Sequence, residues 1–228
     1  MLKIDLYWDL RSSLPERHTG VGKHVVNIVS GLLAQDSVNV RVLLAQDQQS
    51  LWASQKSAYG WEQIKCAVLP FSNKEGRLRF GAFKWPSIES LSHERDVIYS
   101  PMELLLSGGS VPFVNTIHGI PSFEDNVGKA IYASRSYRMD RVKQAWFFRR
   151  CRSLCQSSFI VSDYLKGELV SRMQFDPEFL KVVYNGADEI FFDGVTSPTH
   201  DDSHATLLVV GGVNAMDGAA NVLKVAKL

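Results

Sequence analysis

The chain has 228 residues, 45% of them hydrophobic, so it can bury a sizeable core and is expected to be globular. With 25 Lys and Arg against 24 Asp and Glu, the formal charge is +1, which excludes the bulk field of a nucleic-acid binder or an acidic tail protein. Three cysteines, Cys66, Cys151 and Cys155, lack metal-ligand spacing and fit reduced thiols in a reducing compartment.

The N-terminal MLKIDLYWDL has neither the apolar core nor the cleavage site of a signal peptide, and no run of 18 apolar residues follows. Strands are expected at 2–8, 38–44, 64–70, 96–101, 112–118, 157–162, 180–186 and 205–212, where short apolar runs are rich in β-branched and aromatic residues. The clearest helix is 22–34, in which Val25, Ile28, Val29, Leu32 and Leu33 share one face. Further helices are expected at 129–152, 163–173 and 215–228. Strands that read as continuous apolar runs are those of a parallel sheet covered on both faces. The expected fold class is therefore α/β, a doubly wound, Rossmann-like parallel sheet. Residues 187–204 lose all periodicity and read as a linker between a domain at 1–186 and a strand and helix at 205–228, too little to form a core alone.

In such a sheet, ligands sit beyond the carboxyl ends of the strands, so residues that follow strands are the candidates. Gly20 and Gly22 open the first helix, where free N–H groups and the helix dipole suit an anion, or where they serve only as an N-terminal turn. Val25 occupies the third glycine position of the dinucleotide fingerprint, which disfavours a standard NAD site. His118 ends the run PFVNTIHG, placed to bond a ligand or move a proton, or equally to be a structural histidine. Ser162 fits best as a helix cap, and Asn185-Gly186 is an ordinary turn dipeptide. Residues 135–152 carry seven basic side chains with interleaved aromatics. The favoured reading is a core-packed helix with solvated charges; the other is an amphipathic face for anionic lipid or a phosphorylated acceptor. No nucleic-acid recognition motif accompanies the charge.

Four segments in this order, TGVGKHVVNIVSGL, IYSP with VPFVNTIHGIP, FIVSDYLKGELV and KVVYNGADEIFF, resemble the retaining glycosyltransferases of the GT4-type group, which have the two-domain GT-B fold. The resemblance implies the acceptor-side half of such an enzyme, using a nucleotide-sugar donor and a glycan, lipid-linked or small-molecule acceptor, without a bound metal. It implies that Gly20 and Gly22 form the active-site loop, that His118 contacts the transferred sugar, and that Ser162 and Asn185 line the cleft. The sequence departs from the family where Gly119 replaces the commoner Asp, and where GGVNAMDG offers Gly212 and Asp217 in place of an Arg and a Lys. With most of the donor half missing, the expectation is a chain that is inactive or partner-dependent, and an alternative is a sugar-binding or protein-interaction module without catalysis. An epimerase of the same fold would need a carboxylate constellation that the sequence does not offer. The expected location is cytoplasmic, the lipid reading of 135–152 being the one that would add a peripheral contact at the membrane, and apolar surface that includes Phe191 and Phe192 is expected to drive self-association or binding of a partner.

Overall fold

A computed structural model describes residues 1–16, 19–82, 87–120 and 135–187. The chain divides into two compact units, one of residues 1–119 and 145–185, the other of 120–144 and 186–228. The expected strand at 205–212, the helix at 215–228 and the linker from residue 188, with Phe191 and Phe192, lie outside the described residues.

The first unit holds a seven-stranded sheet whose order in space is β3-β2-β1-β4-β5-β6-β7, every neighbouring pair parallel. Its strands are β1 (Leu2–Tyr7), β2 (Val38–Leu44), β3 (Lys65–Val68), β4 (Val97–Ser100), β5 (Phe113–Ile117), β6 (Ser157–Ile160) and β7 (Leu180–Val182). Helices α1 (Gly20–Leu33), α2 (Gln49–Tyr59), α3 (Asn73–Ala82), α4 (Glu89–Ser92), α5 (Arg135–Leu154) and α6 (Asp163–Met173) lie between them in sequence. α5 belongs to the second unit up to Gln144. The strand order reverses between β1 and β4, so the crevice of this doubly wound sheet opens at their carboxyl ends.

On one face of β1, Ile4, Leu6 and Trp8 pack with Val25 and Val29 of α1 and with Trp52 of α2. Trp8 meets Trp52 and Trp61 edge-on, with centroids 6.1 and 6.3 Å apart. On the other face, the fully buried Asp5 accepts two hydrogen bonds from Arg41, at 2.8 and 2.7 Å, and one from Ser92 at 2.6 Å. Arg95 lies 3.2 Å from the same carboxylate. Arg41 sits directly across the β1–β2 pairing from Asp5, so this ion pair is set by register.

Two elements end elsewhere than expected, and others are added. α1 begins at Gly20, two residues earlier than its periodicity suggests, because the Thr19 hydroxyl accepts a bond from Gly22 N at 3.0 Å and starts the helix there. The last strand stops at Val182 rather than 186, since β6, its one neighbour among the described residues, ends at Ile160 and offers Val183 one final carbonyl at 2.8 Å. The short α4 is an addition to the expected elements, and so are α2 and α3. Both are polar on most of their surface, with Trp52 and Gln55 the buried residues of α2.

Candidate functional site

β1 ends at Tyr7 and the chain turns through a short 3-10 segment at Leu10–Ser13. Asp9 caps that segment and grips Arg11 with both oxygens, at 2.9 and 2.8 Å, while Gln48 donates to the same carboxylate at 2.7 Å. The Asp9 carboxylate raises the pKa of Arg11, whose side chain is still 57% exposed. A cation is thus held in fixed orientation at the carboxyl end of β1.

Gly20 and Gly22 occupy the first turn of α1, and the structure gives them different surroundings. A methyl group at Gly20 would meet nothing within 4 Å, whereas one at Gly22 would lie 2.0 Å from the Ser12 carbonyl oxygen. Gly22 therefore lets the helix seat against the turn after β1, and the exposed Gly20 leaves the first free N–H groups open to a ligand.

β4 ends at Ser100, and the following Met102 sulfur approaches Asp9 N at 3.4 Å. β5 ends at Ile117, placing His118 at its carboxyl end as the sequence suggests. The His118 backbone N–H donates to the Glu103 carboxylate, and its Nε2 lies 3.0 Å from the Pro101 carbonyl oxygen. A carbonyl only accepts, so Nε2 carries a proton, and the tautomer that fits this contact has Nδ1 as its acceptor. The His24 ring, one turn into α1, stands edge-on to His118 with centroids 4.6 Å apart. Burial lowers the pKa of His24, and the neighbouring His118 adds to this, while a hydrogen bond donated by His24 to the Asn185 side-chain oxygen opposes them. His24 Nε2 is buried without a hydrogen-bond partner.

The structure thus brings His118, His24 and Asn185 together from the ends of β5, α1 and β7. Ser162 is the cap of α6, its hydroxyl accepting from Leu165 N at 3.2 Å, with no hydrogen bond to the histidine pair. His24, Glu103 and Arg11 are additions to the sequence-derived set. Of these, His24 carried a signal: it lies one helical turn after Gly20, next to Val25 on the apolar side of the helix.

An apolar cavity of about 440 Å³ lies under α1, between Ile28 and Gly31 and the strand residues Tyr99, Thr116 and Phe159, with His24 at its wall. Tyr99 and Thr116 satisfy one another through a 2.8 Å hydroxyl contact, and burial raises the tyrosine pKa. With those hydroxyls engaged, the cavity cannot solvate a sugar, and the strand-end cluster is the better site for one. Among the described residues no group of His, Cys, Asp and Glu is arranged to hold a metal ion.

The sequence profile of Glycosyltransferase Family 4 matches residues 18–190. No curated protein matches the chain. Among solved structures, the chain is similar to UDP-GlcNAc 2-epimerase from Neisseria meningitidis bound to UDP-GlcNAc, with 10% identity and a TM-score of 0.49. The likeness covers 80% of this chain and 46% of that one, so the chain spans about half the length of that enzyme.

Proposed function

This chain belongs to glycosyltransferase family 4, and we propose that its sheet unit is the acceptor-side half of a retaining transferase that uses a nucleotide-sugar donor. The observation that carries this reading is the meeting of His118, His24 and Asn185 at the strand ends, beside the open first turn of α1.

In this reading, His118 Nδ1 accepts a hydrogen bond from a hydroxyl of the transferred sugar, its orientation held by Pro101 and by the Glu103 bond to its backbone. The sugar centre develops oxocarbenium character as the nucleoside diphosphate departs, and fixed dipoles nearby stabilise that charge separation without reorganising. The free N–H groups at Gly20 and the fixed Arg11 guanidinium are the positive groups this unit offers to the departing phosphates or to an anionic acceptor. No metal takes part in this reading. A second reading, a sugar-binding module without transfer, is favoured by Asp217, which stands in the sequence where the resemblance to the family implies an Arg or a Lys for the diphosphate.

Saturation-transfer NMR of the full chain with UDP- and GDP-sugars and simple glycosides tests the site, with His118→Ala as the paired variant. Expected is a sugar signal that His118→Ala abolishes while circular dichroism stays native. Absence of any signal, or a signal indifferent to His118→Ala, overturns the assignment. A transfer or hydrolysis assay on the ligand that binds separates enzyme from module.

A further inference from the structure

Strand alternation furnishes the two faces of the sheet differently. Asn115 of β5 and Ser158 of β6 turn toward Cys151, so their neighbours Thr116 and Phe159 turn to the opposite face. On that face lies the apolar cavity under α1, lined wholly by residues of the sheet unit. Its helical wall includes His24, Ile28 and Leu32, spaced i, i+4 and i+8, a stripe beside the one that buries Val25 and Val29. Val25 and Val29 are fully buried and seat the helix on the core, whereas Ile28 and Leu32 are left half-buried along the cavity.

The cavity is elongated, and its polarity is concentrated at one end. From His24 to Leu32 the helix rises about 12 Å. The strand wall runs from Leu2 and Val97, near the amino ends of β1 and β4, to Val183, two residues before Asn185. On the floor, the Tyr99 and Thr116 hydroxyls are turned to one another. At the end near Asn185 stands His24, whose Nε2 is buried without a hydrogen-bond partner and whose ring centroid is 4.6 Å from that of His118. One side chain thus belongs both to the groove and to the candidate sugar site.

Size and polarity decide between occupants. A sugar would lose its water in the groove without replacement. Of the apolar residues that line it, Leu2 and Val183 are exposed, each 47%, which is far short of the roughly 800 Å² per partner of a stable protein interface. A cavity of about 150 Å³ accommodates benzene, so about 440 Å³ takes roughly eighteen carbon atoms at most, and a chain that spans the helical wall needs about ten. On the reading of His118 as the sugar contact, we propose that the groove under α1 holds the aliphatic chain of a lipid acceptor, the chain lying along Ile28 and Leu32 and its hydroxylated head at His24, next to His118. A hydroxyl both donates and accepts, so it suits the unpartnered Nε2 in either tautomer.

The test is calorimetric titration of the full chain with methyl, hexyl, octyl and decyl glucoside, each below its micelle concentration. Expected is an affinity that rises about fourfold per added methylene until the groove is filled. Gly31 lines the groove, and a side chain there meets nothing within 4 Å, so Gly31→Phe places a ring in the groove without lifting the helix. It should weaken decyl glucoside by about tenfold or more and leave methyl glucoside unchanged. Ile28→Gln, which puts an amide in the helical wall, should weaken the decyl compound about tenfold as well. A geranyl glucoside in parallel separates an isoprenoid chain from a linear one, and loss of either in Gly31→Phe supports the groove. Methyl glucoside bound with no gain from chain length overturns the inference and leaves the sugar site standing. Chain-length dependence that both variants leave unchanged overturns it too, as does self-association lost in Gly31→Phe without alkyl binding. Decanol bound and weakened by both variants, with no glucoside bound, keeps the groove and overturns the sugar reading instead.

Discussion

Substituting alanine at each of the two glycines that open α1 should move stability in opposite directions. At Gly22 an added Cβ would stand 2.0 Å from the Ser12 carbonyl oxygen and 3.0 Å from its carbon. Real contacts of this kind begin near 3.0 Å, so helix and turn must separate by about 1 Å. The obstacle is backbone, in a turn whose other end is anchored by Asp9, and it cannot swing aside as a flexible side chain would. Overpacking of this kind costs about 1–3 kcal/mol, and the rigid neighbour puts Gly22 at the upper end. Alanine's greater helix propensity returns about 1 kcal/mol, leaving a net loss near 2 kcal/mol. For a chain of this size that lowers Tm by about 4–8 °C. Gly20→Ala meets nothing within 4 Å and gains up to about 1 kcal/mol. Thermal and urea unfolding followed by far-UV circular dichroism compare the two. A Gly22→Ala protein as stable as the parent, or a Gly20→Ala protein less stable than Gly22→Ala, would refute the close-packing account of this turn.

Asp5→Ala leaves the Arg41 and Arg95 guanidiniums without their buried carboxylate, and chemical denaturation should show a loss of about 3–5 kcal/mol. His24 has a folded pKa lowered by burial, so the unfolded chain binds more protons in the window just below 6.5. Its contribution to stability is present above 6.5 and lost as pH falls through the lowered folded value; urea midpoints of the parent should therefore drop more on acidification than those of His24→Gln. Among the three thiols, the exposed Cys66 should react with a disulfide reagent at once, while the buried Cys151 and Cys155 wait for unfolding. Three fast thiols, or fewer than three in denaturant, would contradict the packing around Asn115 and Ser158.

What the sequence exposes of this fold follows from where its apolar residues are. Val25, Val29 and Ile28 betray α1 by their spacing, and the continuous runs of β1, β2 and β5 betray strands covered on two faces. α2 escapes the same reading because it buries an amide as well as an indole. Gln55 enters the core by donating to Leu10 O and accepting from Ser13 Oγ, so a buried position looks polar in the sequence. α3 has no apolar stripe, yet its start is legible by other chemistry. Glu75 accepts from Ser72 N at 2.8 Å and Ser72 Oγ accepts from Glu75 N at 3.3 Å, a reciprocal box of the form Ser-x-x-Glu.

The site is legible for a related reason and incomplete for another. His118 and Asn185 can be found because they follow strands, and a doubly wound sheet gathers strand ends at one edge. His24 belongs to a helix, and although its place on the apolar side of α1 turns it inward, nothing in its spacing tells that it meets His118. That depends on how closely α1 can settle against the turn after β1, which Gly22 decides by having no side chain at the Ser12 carbonyl. The second glycine thus acts at the candidate site through packing: it sets the seat of the helix, the helix carries His24, and His24 stands against His118. A substitution at Gly22 that lifts the helix should disturb the histidine pair as well as stability, whereas Gly20 can reach a ligand only through its own exposed backbone.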